Sequence, residues 1–194
     1  MPSRLAALFA ALLTLAGLIQ TAWAAEEFTI TALMADLARV PERRAIFTET
    51  KTLHALAAPI ETSGTLFWRR PDRLEKITFP PHRERLALAG GRLSLALDDQ
   101  PPRDLDLASA PPVAGLIEAI RATLAGDLPA LERHYSVGLE GDRAAWRLTL
   151  VPSDPEVARF LRTARIEGDG ATPHRVTFAE TNGDESDMRI TPLP

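Results

Sequence analysis

One run of the sequence concentrates side chains able to do chemistry: Trp68-Arg69-Arg70-Pro71-Asp72-Arg73. On an extended strand, alternation puts Leu66, Trp68 and Arg70 on one face and Thr65, Phe67 and Arg69 on the other. If the Leu66 and Trp68 face lines a concavity, Arg70 comes at its rim or points inside. A guanidinium there needs acceptors, and the carbonyls at a helix C-terminus or a loop can supply them. Arg70 is then a latch that holds a helix across the opening; the alternative is a solvated arginine before a Pro-Asp turn. Other chemistries lack their residues. There is no Gly-x-Ser-x-Gly elbow, Walker loop, Gly-x-Gly-x-x-Gly or His-Glu-x-x-His. His54, His82, His134 and His174 stand alone, without ligand spacing, and read as strand-end or loop residues. Asp98, Asp99, Asp104 and Asp106 could offer oxygens to a hard cation, but no dedicated loop frames them, so they read as a solvated acidic turn. Paired carboxylates converge only in space, which leaves a dispersed hydrolytic pair open. The expectation is a protein that is not an enzyme and has no cofactor and no metal.

The elements that must position these residues belong to a chain of 194 residues with 45% hydrophobic and 25% charged side chains and a net charge of −4. These are the proportions of one globular domain. A mildly acidic balance without a dense Lys/Arg run argues against nucleic acid as a partner. The absence of cysteine excludes disulfides, thiolate metal sites, cysteine nucleophiles and a thioether-linked lipid anchor. Residues 1–24 carry Arg4, an apolar run over residues 5–19, and Ala22-Trp23-Ala24, the pattern of a signal peptide cleaved after Ala24. The apolar run falls short of the ~20 residues a spanning helix needs. Residues 25–194 are then a single exported domain, and a bacterial cell would hold it in the periplasm.

Ile30, Leu33, Met34 and Leu37 recur at helical spacing, so residues 29–40 read as an amphipathic helix with Asp36 and Arg39 turned away and Pro41 limiting it. A second helix starts at Pro111-Pro112, carries the stripe Val113, Leu116, Ile117, Ile120 and Leu124, and stops at Gly126. Most of the remainder alternates with period two between turn residues, as antiparallel strands do. Segments 44–53, 60–70 and 73–79 read as strands. Gly90-Gly91 joins a hairpin of Leu86 and Leu88 with Leu93, Leu95 and Leu97. Further turns at 140–142, 168–170 and 182–184 connect strands bearing Val137, Trp146, Leu148, Ile166, Val176, Phe178, Met188 and Ile190. The fold class is α+β and mostly antiparallel β, with about ten or eleven strands and two helices packed on the sheet. A sheet of that size must curl. Its concave side is either filled by the helices or left partly empty for a ligand.

The run from Ser63-Gly64-Thr65-Leu66 to Arg70-Pro71, followed by Pro80-Pro81 and by Gly90-Gly91-Arg92-Leu93, resembles the LolA/LolB-like superfamily of periplasmic outer-membrane lipoprotein carriers. Phe47-Thr48-Glu49 resembles the family's Phe-x-Gln strand, with Glu49 where glutamine is usual. The order of elements is similar along the whole of residues 25–194, which suggests a divergent branch. The resemblance implies an unclosed half β-barrel with an α-helical lid over a hydrophobic cavity that takes acyl chains, with Arg70 at the position that bonds to the lid. It implies a monomer that carries an acylated lipoprotein, another lipid or a lipid-linked product from an inner-membrane release complex to an outer-membrane acceptor. A sensor or scaffold binding lipid or protein on the same fold is the alternative. The expected cavity lining is Leu33, Met34 and Leu37 from the first helix and Leu116, Ile117 and Ile120 from the second. The strands are expected to add Leu66, Trp68, Leu86, Leu88 and Leu95, together with Trp146, Leu148 and Phe178. Carriage of an acyl chain needs no catalytic residue: each methylene left in water costs about 0.8 kcal/mol, so a long chain is retained by roughly 10 kcal/mol.

Overall fold

Strand alternation and register build a single antiparallel sheet in the computed structural model, which describes residues 28–81, 83–98, 100–107 and 111–194. The expected signal peptide with its cleavage site, His82 and Asp99 lie outside these residues. The strands are β1 (Glu42–Thr52), β2 (Ile60–Arg69), β3 (Arg73–Thr78), β4 (Glu84–Ala89), β5 (Arg92–Leu97), β6 (Arg103–Leu105), β7 (Tyr135–Asp142), β8 (Ala145–Pro152), β9 (Leu161–Asp169), β10 (Thr172–Glu180) and β11 (Glu185–Pro192). They follow the order β6-β5-β4-β3-β2-β1-β11-β10-β9-β8-β7. The sheet is therefore open, with β6 and β7 as its edges, and the pairing of β1 with β11 joins two meanders.

The expected segments form with ends shifted by one or two residues, and β6 is a strand for which alternation gave no signal. At Gly90 and Gly91 φ is 57° and 74°, the doubly left-handed turn that glycine permits without a Cβ penalty. Helix α1 (Ile30–Ala38) starts where Thr29 accepts a hydrogen bond from Ala32 N at 3.2 Å. Helix α2 (Pro111–Ala125) ends at Gly126, whose φ of 69° breaks the helical path. Two further one-turn helices, α3 (Leu128–Glu132) and α4 (Pro155–Ala158), are capped by Asp127 and Asp154, each with a proline in the first turn. Neither is long enough to show an apolar stripe, so periodicity alone does not find them.

All helices pack against the same face of the sheet. The larger core unites Leu33, Met34 and Leu37 of α1 and Ala119 and Ala122 of α2 with Trp146, Leu148, Leu150, Ala164 and Ile166 of β8 and β9. A smaller core joins Ile117 of α2 to Trp68, Leu74, Leu88 and Leu93 of β2 to β5. The Tyr135 hydroxyl donates to the Gly115 carbonyl at 2.8 Å and ties α2 to β7. Asp36 is not turned to water as its spacing suggested. It is 7% exposed because Arg39 at 2.9 Å and Arg143 at 2.5 Å compensate its charge and hold α1 to the β7–β8 turn.

Candidate functional site

Directly opposed residues of an antiparallel pair share a face. On β1 and β2 these are Arg43 and Trp68, Ala45 and Leu66, Phe47 and Gly64, and Glu49 and Thr62. That face is the concave one, since Ala45, Phe47 and Glu49 are buried while Arg44, Ile46 and Thr48 are exposed. A cavity of about 640 Å³ lies between the two cores. Ala45, Leu66, Trp68, Leu74 and Leu86 form one wall. Ile166, Val176, Phe178, Met188 and Ile190 form the other, with Ile117, Ile120 and Leu124 of α2 above. Its volume lies within the range of ligand sites, roughly 300 to 1,000 Å³.

Six of the residues expected to line it come together there: Leu66, Trp68, Leu86, Ile117, Ile120 and Phe178. The others lie elsewhere. Leu33, Met34, Leu37, Trp146 and Leu148 are inside the larger core, with Leu116 packed against it. The reason is that α1 rests over the β7 to β10 half rather than over the cavity. Leu88 is buried beside Trp68 in the smaller core, and Leu95 is the half-buried cross-strand neighbour of Leu86 on β5. Ala45, Leu74, Leu124, Ile166, Val176, Met188 and Ile190 also line it and were not among the residues expected there. For those on strands the signal was the parity of each strand, which becomes legible only once the register is known.

Two arginines meet the end of α1. Arg70 Nη1 donates to the Ala38 carbonyl. Arg43 Nη2 donates to the Leu37 carbonyl at 3.2 Å and Nη1 to the Ala171 carbonyl at 2.5 Å. Positive charge beside the last carbonyls of a helix opposes its dipole favourably. Burial lowers the Arg43 pKa to about 10. Its Nε is buried without a hydrogen-bond partner, as is Nε1 of the facing Trp68.

A charged island borders the cavity. The Glu49 carboxylate, 5% exposed, pairs with Lys76 Nζ at 2.5 Å and accepts from the Ser186 hydroxyl at 2.6 Å. Burial pushes its pKa up, but Lys76, Ser186 and Lys51 outweigh that and hold the carboxyl below its ordinary value. Lys76 Nζ also stands 4.9 Å from the centre of the Phe47 ring and belongs to the cavity wall. On the convex face, the guanidiniums of Arg44, Arg69 and Arg73 lie 5.6, 5.4 and 5.6 Å from the centre of the Phe67 ring. Among the described residues no three histidine or acidic side chains converge as a metal site. No helix there is long and apolar enough to cross a membrane.

The family model described as outer membrane lipoprotein carrier protein LolA-like matches residues 22–191. No curated protein matches the sequence. Among solved structures, a LolA superfamily protein from Nitrosomonas europaea aligns with a TM-score of 0.42 and 11% identity over 83% of this chain and 90% of that one. A DUF1329 family protein from Desulfovibrio piger aligns at 0.46 and 8% over 84% and 88%. MucB aligns at 0.46 and 14%, with 84% of this chain matching 56% of MucB.

Proposed function

The chain belongs to the outer membrane lipoprotein carrier protein LolA-like family, and we propose that it is a periplasmic carrier that shelters acyl chains in the cavity between its two cores. The observation that supports this reading best is the apolar hollow of about 640 Å³ at the β1–β11 seam, with α2 as its roof. An acyl chain placed there loses most of the cost of hydrating its methylenes. Carriage then requires only that the roof open and close with states a few kcal/mol apart. In this reading Arg70 is the lid latch acting through α1: its bond to Ala38 holds the end of that helix against the strand of the cavity wall, and α1 shares the larger core with α2, the roof. The cargo is an acylated lipoprotein or another lipid, received from an inner-membrane release complex and passed to an outer-membrane acceptor, and the carrier works as a monomer. Residues 1–24 direct export and are removed from the exported chain.

Lipid extraction and mass spectrometry of the purified protein test the reading. Acyl chains in near-stoichiometric amount are expected. A protein that emerges free of lipid, takes up none from vesicles and captures only a protein partner is a scaffold instead, and the carrier reading is then rejected.

A further inference from the structure

The cavity wall holds a positive charge, the half-buried Arg43 guanidinium. Among the described residues no carboxylate pairs with Arg43, whose two hydrogen bonds go to backbone carbonyls. The end of α1 offers it only a partial negative charge, about half a unit, so part of the guanidinium charge stays uncompensated. Beside it, in the directly opposed position on β2, Trp68 is 2% exposed with its indole N–H unpaired. Cross-strand neighbours at such positions have Cβ atoms only about 5 Å apart. Two unused donors, one on a cation, therefore belong to opposed residues of the wall of an apolar hollow; both nitrogens are buried, so a ligand reaches them once the side chains turn. Each represents a hydrogen bond the folded protein leaves unmade, a cost that a ligand acceptor would remove. Trp146, the buried indole of the opposite half, has no such deficit: its N–H reaches the Gly170 carbonyl at 3.0 Å.

We propose that Arg43 and Trp68 form a head-group subsite for an anionic amphiphile, with a carboxylate or phosphate oxygen accepting from Arg43 Nε and Trp68 Nε1 while the hydrocarbon tail fills the cavity. The inference rests on the carrier reading and narrows its cargo to oxyanion-headed chains. An oxyanion supplies both the acceptor lone pairs and the missing negative charge, and bonds of that kind are about twice as strong as those to neutral acceptors. Arg44, Arg69 and Arg73, on the outer face of the same strand ends, add a positive field that favours approach of anions.

The test uses the delipidated full-length mature protein and three probes with one tail: hexadecanoate, hexadecyl phosphate and hexadecanol, each titrated below its aggregation concentration. Both anions are expected to bind about tenfold or more tighter than the alcohol, and the tighter of the two identifies the oxyanion. Trp68→Phe keeps an aromatic ring but removes the donor; it should cut the ratio of anion to alcohol affinity severalfold. Arg43→Gln should abolish the preference, and the wild-type comparison and Trp68→Phe carry the test if that variant does not fold. Equal, tight binding of all three probes overturns the subsite and leaves the carrier intact. A preference that persists in both variants overturns the assignment to these residues. Binding of none of them removes the carrier reading as well.

Discussion

The half of the sheet formed by β7 to β10 and the half formed by β1 to β5 use the same architecture to opposite ends. In the first, α1, α2, α3 and α4 press Leu33, Leu37, Ala122, Leu131 and Val157 onto Leu148, Leu150 and Ala164, most of them with no exposed surface. Its buried polar groups are satisfied, with Tyr135 bonded to Gly115 and Trp146 to Gly170. In the second, Ile117 and Ile120 of α2 lean in, and half-buried Leu66 and Leu86 border the hollow beside them. Its polar groups include the unpartnered nitrogens of Trp68 and Arg43. An empty space forfeits dispersion contacts, and such a region is stable only because a neighbouring region is fully packed. The filled half is thus the anchor on which α1 and α2 are mounted, and the hollow half is where change is energetically cheap.

Substitutions in the two halves test this division directly. Leu148→Ala, in the filled half, should destabilise the protein by about 4 kcal/mol in urea unfolding. Leu66→Ala, whose side chain already borders empty space, should cost about 1 kcal/mol, and comparable losses at both positions would dissolve the contrast. Lys76→Met removes the nearest counter-charge of the buried Glu49 carboxylate and leaves it Lys51 at 3.8 Å and the Ser186 hydroxyl, with an expected loss of about 2 kcal/mol; Lys76→Met with Glu49→Met should recover most of it. A double variant as unstable as the single one would show that the pair itself is not the cause.

A smaller effect is expected from acid. Because the folded protein holds the Glu49 carboxyl below its ordinary pKa, its stabilising contribution is complete above the usual carboxylate range and fades as pH falls through the depressed folded value. Glu49→Gln should flatten that part of the stability curve, measured by thermal unfolding across acidic pH. The smallest change in stability, under about 1 kcal/mol, is predicted for Arg70→Leu, because the side chain is exposed and bonds only to a carbonyl. Its consequence should be kinetic: faster exchange of bound acyl chains at unchanged fold, followed by fluorescent-lipid transfer. Identical transfer rates in the two proteins would remove the latch role.

Much of the fold was legible from residue order because its signals are local. Gly90 and Gly91 turn a hairpin whatever surrounds them, Pro111 and Gly126 bound a helix by backbone sterics, and period-two alternation marks strands one by one. The short helices at Leu128–Glu132 and Pro155–Ala158 were not legible by periodicity, since one turn has no period to display. Only part of the candidate site was legible. Alternation says that Leu66 and Trp68 share a face; it does not say that Met188 and Ile190, more than a hundred residues later, complete the opposite wall.

The sequence by itself determined the class of the fold, its turns and the two amphipathic helices, all of which follow from interactions within a few residues. The tertiary structure alone decided that α1 fills one half of the sheet and spares the other, that Asp36 is buried between two arginines, and that Arg43 faces Trp68 without a carboxylate between them. Those outcomes depend on strand register and helix placement. Both are settled by the collective burial of apolar surface over the whole sheet, and no short stretch of residues encodes that sum.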